Sequence, residues 1–368
     1  MLFSFTSILG GLKDELRLSN TQFGLLLSAF SIMYALAQIP GGILVDRYGG
    51  KKVSSVGISV MAAAGLAFSF SSNFGVAIFL RCVAGFTGGL VLPSAVMLLS
   101  NWYPPKERST AMGIFGLGQG LGFVVTYVVG SIVVEYAGWR MGALFAGTFA
   151  SFAAVFAWVF LKERTASVNV RHFTGLGLEK NFKRNLLLFI AVNFAALSVV
   201  SGVLQFTPQF LMLRFDFSAI AGGFVTSLVG ITNILASYFG GISSRRVGGD
   251  NVILASMFMC AFLPAFLGYS YSTFVFVLVA LLGFATMLYF GPLFAGVSRA
   301  VGERNPGTMF GVFNATSFGA SAFSPLIIGY ILDNMHSYEL AFTSLSLIAM
   351  IGLGAAVELK RIHFFARD

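Results

Sequence analysis

Apolar residues run along this chain in long unbroken blocks separated by short polar breaks, not in the period-two or one-sided patterns of soluble strands and helices. After an apolar start at 1–11, blocks fall near 22–45, 53–72, 75–100, 109–134 and 139–161. A polar stretch at 162–185 follows, and further blocks occupy 186–212, 218–243, 251–271, 273–298, 307–332 and 339–358. A helix of ~20 apolar residues crosses the ~30 Å hydrocarbon core of a bilayer, so each block predicts a membrane-spanning helix. The pattern predicts an all-α polytopic membrane protein of eleven full spans and one fragment. Its layout is an N-terminal helical half (1–161), a cytoplasmic central loop (162–185) and a C-terminal helical half with a basic tail (186–368).

Composition agrees with the pattern. Of 368 residues, 57% are hydrophobic and 10% are charged, whereas soluble domains carry about 25% charged residues. Cys82 and Cys260 both lie inside apolar blocks, with no disulfide framework or metal-ligand spacing, and read as small packing residues. The net charge of +9 would suggest nucleic acid in a soluble chain, but here it follows from topology. With the first break placed outside and the loops alternating, 18 of the 23 lysines and arginines fall inside, four outside, and one, Arg81, within a span. The positive-inside rule then puts both termini in the cytoplasm.

The chain also repeats itself. "GGILVDRYGG" (41–50) and "GGISSRRVGG" (240–249) share six of ten positions at an offset of 199 residues. Ser28, Ile32, Leu36 and Ala37 recur at the same offset as Ser227, Ile231, Leu235 and Ala236. "ERSTAMGIF" (107–115) is echoed by "ERNPGTMFGVF" (303–313) with a two-residue insertion. Two halves in the same orientation are an architecture suited to rocking about a central site.

The decapeptide and its neighbours carry a family resemblance. Gly42, Asp46, Arg47, Tyr48, Gly49, Lys51 and Lys52 resemble the loop signature between the second and third helices of the major facilitator superfamily. "LRCVAGFTGG" (80–89), with Arg81 and Gly85, is similar to that family's fourth-helix element. "NWYPPKERSTAMGIFGLGQGLG" (101–122) looks like the organic anion and nitrate-type branches. The resemblance implies two six-helix halves related by a pseudo-two-fold axis. The chain departs from the family in two places. Gly50 stands where the family usually has arginine. Residues 1–11 reach only ~16 Å, so a first helix shortened at its N-terminus is expected, with roughly 10 to 25 further residues upstream of Met1.

Asp46 lies at a cytoplasmic helix end. The resemblance implies that it meets the start of the eleventh helix, where Asn305 and Pro306 form a capping sequence. It would latch the halves in one facing state, with Gly42, Arg47, Gly49, Lys51, Lys52, Arg245 and Arg246 completing the gating loops; the alternative is an ordinary positive-inside loop with one counter-ion. Arg81 lies ~12 Å down its helix, where a charge needs a cavity or a partner. Its guanidinium fork matches carboxylate, nitrate or phosphate oxygens; the alternatives are snorkelling or a structural bond to backbone carbonyls. Gln205 and Gln209 share one helix face and rank next. Tyr34, Gln38, Gln119, Asn193 and Tyr289 complete the solute-binding candidates, with Tyr127, Asn233 and Asn314 behind them. Each alone is more often an interhelical hydrogen bond than a ligand contact.

No Asp, Glu or His lies deep in a span, so no buried proton relay is visible and coupling stays open. No phosphate-binding loop sequence is present, no metal cluster is spelled out, and no catalytic set falls within the spans. The expected protein is a monomeric secondary transporter in a cell membrane. It is not an enzyme, needs no cofactor beyond an H⁺ or Na⁺ gradient, and has a small solute and the bilayer as its partners. A small organic or inorganic anion is the preferred solute. Efflux of amphipathic compounds, suggested by the aromatics, and a non-transporting sensor are the alternatives.

Overall fold

The computed structural model describes residues 9–103, 105–163, 180–270, 274–301, 306–362 and 364. These residues form helices and short connections, and no strand occurs among them. In chain order the helices are α1 (Leu9–Glu15), α2 (Asn20–Tyr48), α3 (Gly50–Phe68), α4 (Phe74–Gly89), α5 (Val91–Trp102), α6 (Pro105–Phe160), α7 (Lys180–Phe215), α8 (Ala219–Val247), α9 (Gly249–Gly268), α10 (Val275–Leu288), α11 (Phe290–Val301), α12 (Pro306–Met335) and α13 (Tyr338–Arg361). Nine helical stretches among the described residues are long and apolar enough to cross a membrane. One of them, Val124–Phe160, bends at Gly138, whose φ of 78° is non-helical and divides α6 into two helices.

Local chemistry sets the boundaries. The α2 start is a capping box: Ser19 Oγ accepts from the Gln22 N–H at 3.1 Å, and Gln22 Oε1 accepts from the Ser19 N–H at 3.0 Å. Two of the apolar blocks prove to be broken spans. The block at 75–100 divides at Leu90 into α4 and α5, and that at 273–298 divides at Tyr289 into α10 and α11. Pro93 and Pro292 stand in the first turns of α5 and α11. Neither can donate the N–H that would continue the preceding helix, so each break coincides with a missing donor.

The element order repeats at a fixed interval. Every bound of α2 and α5 recurs 199 residues later in α8 and α11. The residues with left-handed backbone obey the same rule: Arg17 pairs with Asp216 and Gly49 with Gly248, both 199 apart. Gly138 pairs with His336 at 198, the offset that holds after the insertion seen in the sequence. The repeated decapeptide gains a physical role here. A Cβ on Gly41 would press on Leu90, and one on Gly240 would collide with the carbonyl of Leu288, so each first glycine lets α2 or α8 approach the break in its neighbour.

The chain forms two compact units, residues 1–169 with 211–224, and residues 170–210 with 225–368. In the first, α3 packs on α6 and α4, and α2 lies against α4. The α2–α4 crossing is close because Gly85 and Gly89 face the backbone of Phe30 and Tyr34; a Cβ on Gly89 would stand 2.5 Å from the Tyr34 carbonyl oxygen. In the second, α9 packs on α13 and α10. Ser256 Oγ donates to the Ala285 carbonyl at 2.6 Å, and the Ala265 N–H to Ser346 Oγ at 3.0 Å.

Candidate functional site

The first unit builds its candidate site at the α2–α4 crossing. Arg81, one turn above Gly85 on α4, is 2% exposed. Its Nε–H donates to the Leu26 carbonyl at 3.2 Å, and its guanidinium carbon lies 4.7 Å from the centre of the Phe30 ring. Phe30 stacks on Tyr34 at 6.1 Å, and Tyr34 hydrogen-bonds Gln38 one turn further on. Arg81, Tyr34 and Gln38 therefore belong to one continuous strip linked through Phe30, a residue that sequence reading passes over as packing. The backbone bond and the aromatic face fix the guanidinium plane and offset part of its desolvation.

The second unit collects its own polar groups around α7, the most thoroughly buried of the nine spans. The Tyr289 hydroxyl, at the α10–α11 break, donates to Asn193 Oδ1 at 2.6 Å, and both residues are almost fully buried. Gln205 hydrogen-bonds Ser201 on its own helix, and Ser201 Oγ donates to the Ser321 carbonyl on α12 at 2.9 Å. Gln205 thus belongs to a polar seam between α7 and α12. Gln209, one turn on, is only partly buried and has its Oε1 without a hydrogen-bond partner. Asn233 accepts from Thr286 at 3.3 Å. The Tyr127 carbonyl, in the first unit, accepts from Ser131 at 2.5 Å. The side chains of Gln119 and Asn314 lie outside the described residues.

The turn between α2 and α3 is held by a group that the motif does not include. Gly49, with φ of 84°, ends α2 and lets α3 begin at the next residue. The opening amides of α3 meet the carboxylate of Glu163, just beyond α6: Oε1 accepts from the Gly50 N–H at 3.1 Å and Oε2 from the Lys51 N–H at 2.7 Å. Free amides and the positive end of the helix dipole make this an anion-binding position, and Glu163 fills it. Arg47 and Lys52 both stand over the Tyr48 ring, at 5.3 and 5.7 Å. Asp46 is exposed and makes no ion pair among the described residues. A Cβ on Gly42 would meet open space.

The second unit repeats the turn and changes its charges. Gly248 has φ of 86°, and the position matching Lys51 is Asp250, an acidic residue in the first turn of α9 that is 8% exposed. The Asp46-to-Arg245 reversal is therefore accompanied by a second, from Lys51 to Asp250. Arg246 is exposed, and the side chain of Arg245 lies outside the described residues. Residues 302–305, which hold Asn305, also lie outside them, so Asp46 is described without its expected counterpart.

At the other end of the first unit, a carboxylate and an arginine join three elements. Glu15 Oε1 accepts from Arg140 at 2.6 Å and Oε2 from the Trp139 indole N–H at 2.7 Å. Arg140 also donates to the carbonyls of Ser69 at 2.5 Å and Ser71 at 3.3 Å. The hydrogen bond from Arg140, then that from Trp139, holds the Glu15 carboxyl below its ordinary value. No group of His, Cys, Asp and Glu among the described residues is placed to hold a metal ion.

Comparison with known proteins follows the same lines. The sequence profile described as Major Facilitator Superfamily matches residues 1–325 and 222–360. The chain is 24% identical to the probable L-galactonate transporter of Escherichia coli K12, with 95% of this chain and 83% of the relative aligned. It is 25% identical to the hexuronate transporter of Bacillus subtilis 168, with 95% and 88% aligned. Among solved structures it resembles a bacterial homologue of the human lysosomal transporter Spinster, with a TM-score of 0.80 at 16% identity over 99% of this chain and 94% of that one, a likeness of fold.

Proposed function

This chain belongs to the Major Facilitator Superfamily, and we propose that it is a secondary transporter carrying a small anion across a cell membrane by alternating access. The observation that supports an anionic solute most directly is Arg81, a guanidinium buried on the α2–α4 crossing and oriented by Leu26 and Phe30. A buried arginine is costly in a bilayer, and a cation placed there pairs naturally with a solute carboxylate or another oxyanion. The aligned relatives bear the names of galactonate and hexuronate transporters, so sugar acids are the first solutes to test. Tyr34 and Gln38 extend the Arg81 strip with hydroxyl and amide groups suited to a polyhydroxylated anion. Asn193, Tyr289, Gln205 and Gln209 are the corresponding candidates of the second unit, and Gln119 completes the set.

In this reading the halves are 1–161 and 186–368, joined by a cytoplasmic loop at 162–185. Both termini are cytoplasmic, and the protein works as a monomer without a cofactor or catalytic chemistry; uniport, exchange and symport with an H⁺ or Na⁺ gradient all fit spans that hold no deep Asp, Glu or His. Asp46 biases the facing equilibrium, and the other gating-loop residues complete the two turns around it.

Uptake of labelled galactonate, glucuronate, nitrate and phosphate by proteoliposomes tests the proposal. Arg81→Gln removes charge-assisted hydrogen bonds and should raise the half-saturating concentration about 10- to 100-fold, while elution as a monodisperse peak confirms folding. Unchanged transport by Arg81→Gln would remove the anion assignment. Absence of flux for every solute class, with binding retained, would favour a sensor.

A further inference from the structure

We propose that the first unit carries a binding site for an anionic phospholipid of the inner leaflet, in the groove where the cytoplasmic ends of α5 and α6 meet. This groove is distinct from the solute-binding strip, and the proposal does not depend on which solute is carried.

The groove has a volume of about 230 Å³ and is lined by Leu98, Leu99, Trp102, Tyr103, Phe160 and Lys162, among others. Its composition is graded. Leu98, Leu99 and Phe160 supply apolar surface, Trp102 and Tyr103 supply amphipathic rings of the kind that collect at membrane interfaces, and Lys162 supplies a cation. Lys162 forms no ion pair among the described residues, so its ammonium is available to an outside anion. The Trp102 indole N–H donates to the Lys162 carbonyl at 2.9 Å, which ties the lysine backbone to the end of α5.

What enters is decided by what the groove opens onto. Phe160 stacks on Phe156 at 4.5 Å, and Phe149, Phe152, Phe156 and Phe160, all more than half exposed, follow one face of α6. In a membrane protein such a stripe faces acyl chains, so the groove is continuous with lipid. Charge selects the head group: the inner loops hold most of the cations, and each lysine near an anionic leaflet favours its lipids. An acyl chain against Phe160 and Leu99, with its phosphate on Lys162, satisfies both ends of the groove. The occupant also reaches the gating turn, because Glu163, which caps α3, is the next residue after Lys162. A bound head group would steady that segment.

The full chain is reconstituted in phosphatidylcholine vesicles containing a fixed fraction of lipid with brominated acyl chains, which quench nearby indoles. The Trp102 contribution is the fluorescence of the wild type less that of Trp102→Phe. Brominated phosphatidylglycerol is expected to quench this contribution about fivefold more effectively than brominated phosphatidylcholine, the preference one lysine near an anionic surface supplies. Lys162→Gln should abolish the preference and leave monodisperse protein. Equal quenching by the two lipids, or a preference that survives Lys162→Gln, overturns the proposal. Reversal of the preference by soluble glycerol phosphate would also overturn it, as the mark of a free-phosphate site. Should Trp102→Phe not fold, lipid retained in native mass spectra of wild type and Lys162→Gln gives the same comparison.

Discussion

Glu163 shows how much of the turn between α2 and α3 rests on one side chain. Its two oxygens satisfy the opening amides of α3, and the left-handed Gly49 is what brings those amides toward it. Glu163→Gln keeps the shape, removes the charge and leaves only one good acceptor, so its melting temperature in detergent should fall below wild type. An unchanged melting temperature would show that water replaces the cap without loss. Gly49→Ala should be worse. An L-residue in the left-handed region costs roughly 1–2 kcal/mol, and the new Cβ would stand 2.8 Å from Glu163 Oε2. The motif residues were legible in the sequence because glycine, aspartate and arginine come at familiar spacing. Glu163 was not, since it is one of two acids in a basic stretch and its partners lie 112 and 113 positions away. Gln205 shows the opposite case: helical periodicity puts it beside Gln209, but only packing reveals the seam to Ser201 and Ser321 that occupies it.

Between elements, one end of the first unit is drawn together through Glu15, which joins α1 to the second part of α6, while Arg140 ties α6 to the end of α3. Because its folded carboxyl titrates below its ordinary value near 4.5, the ionised form is favoured by folding. Its contribution is fully present above that ordinary value and is lost as pH falls through the lower, folded value. The melting temperature should therefore be insensitive to Glu15 between pH 7 and about 5 and fall on further acidification. Glu15→Gln should lower it at neutral pH and flatten the acid limb. The pair is exposed, 41% on Arg140 and 46% on Glu15, so solvent screening keeps the effect small. A wild type and a Glu15→Gln variant with parallel acid profiles would dismiss the clasp. Hydropathy locates both helices but says nothing of this link, because Glu15 and Arg140 are two charges 125 positions apart in the chain. The breaks at Leu90 and Tyr289 were within reach of the sequence: Pro93 and Pro292, 199 apart, mark them.

Across the whole molecule, the duplication explains why the span pattern was so readable. A bilayer imposes the same length and apolarity on every span, and a repeated half imposes the same turns, so Gly49 and Gly248 or Arg17 and Asp216 adopt matching backbones despite different side chains. Backbone geometry was kept where charge was not. Asp46 and Lys51 in one copy become Arg245 and Asp250 in the other, so the two matching turns are alike in shape and opposite in sign at two positions. A symmetric pair of hinges would be indifferent to which copy is altered, and a latch carried by one copy would not. If Asp46 biases the facing equilibrium through a helix N-terminus, its neutralisation removes ~0.3–1 kcal/mol. Asp46→Asn should then change the transport rate about two- to fivefold at equal amounts of reconstituted protein, since such a bias acts directly on the populations that interconvert. Arg246→Gln, the removal of an exposed charge from the matching turn, should leave the rate unchanged within error. Equal effects of the two substitutions would return Asp46 to the role of a counter-ion in a positive loop, and a change confined to Asp46→Asn would place the switch in the first half alone.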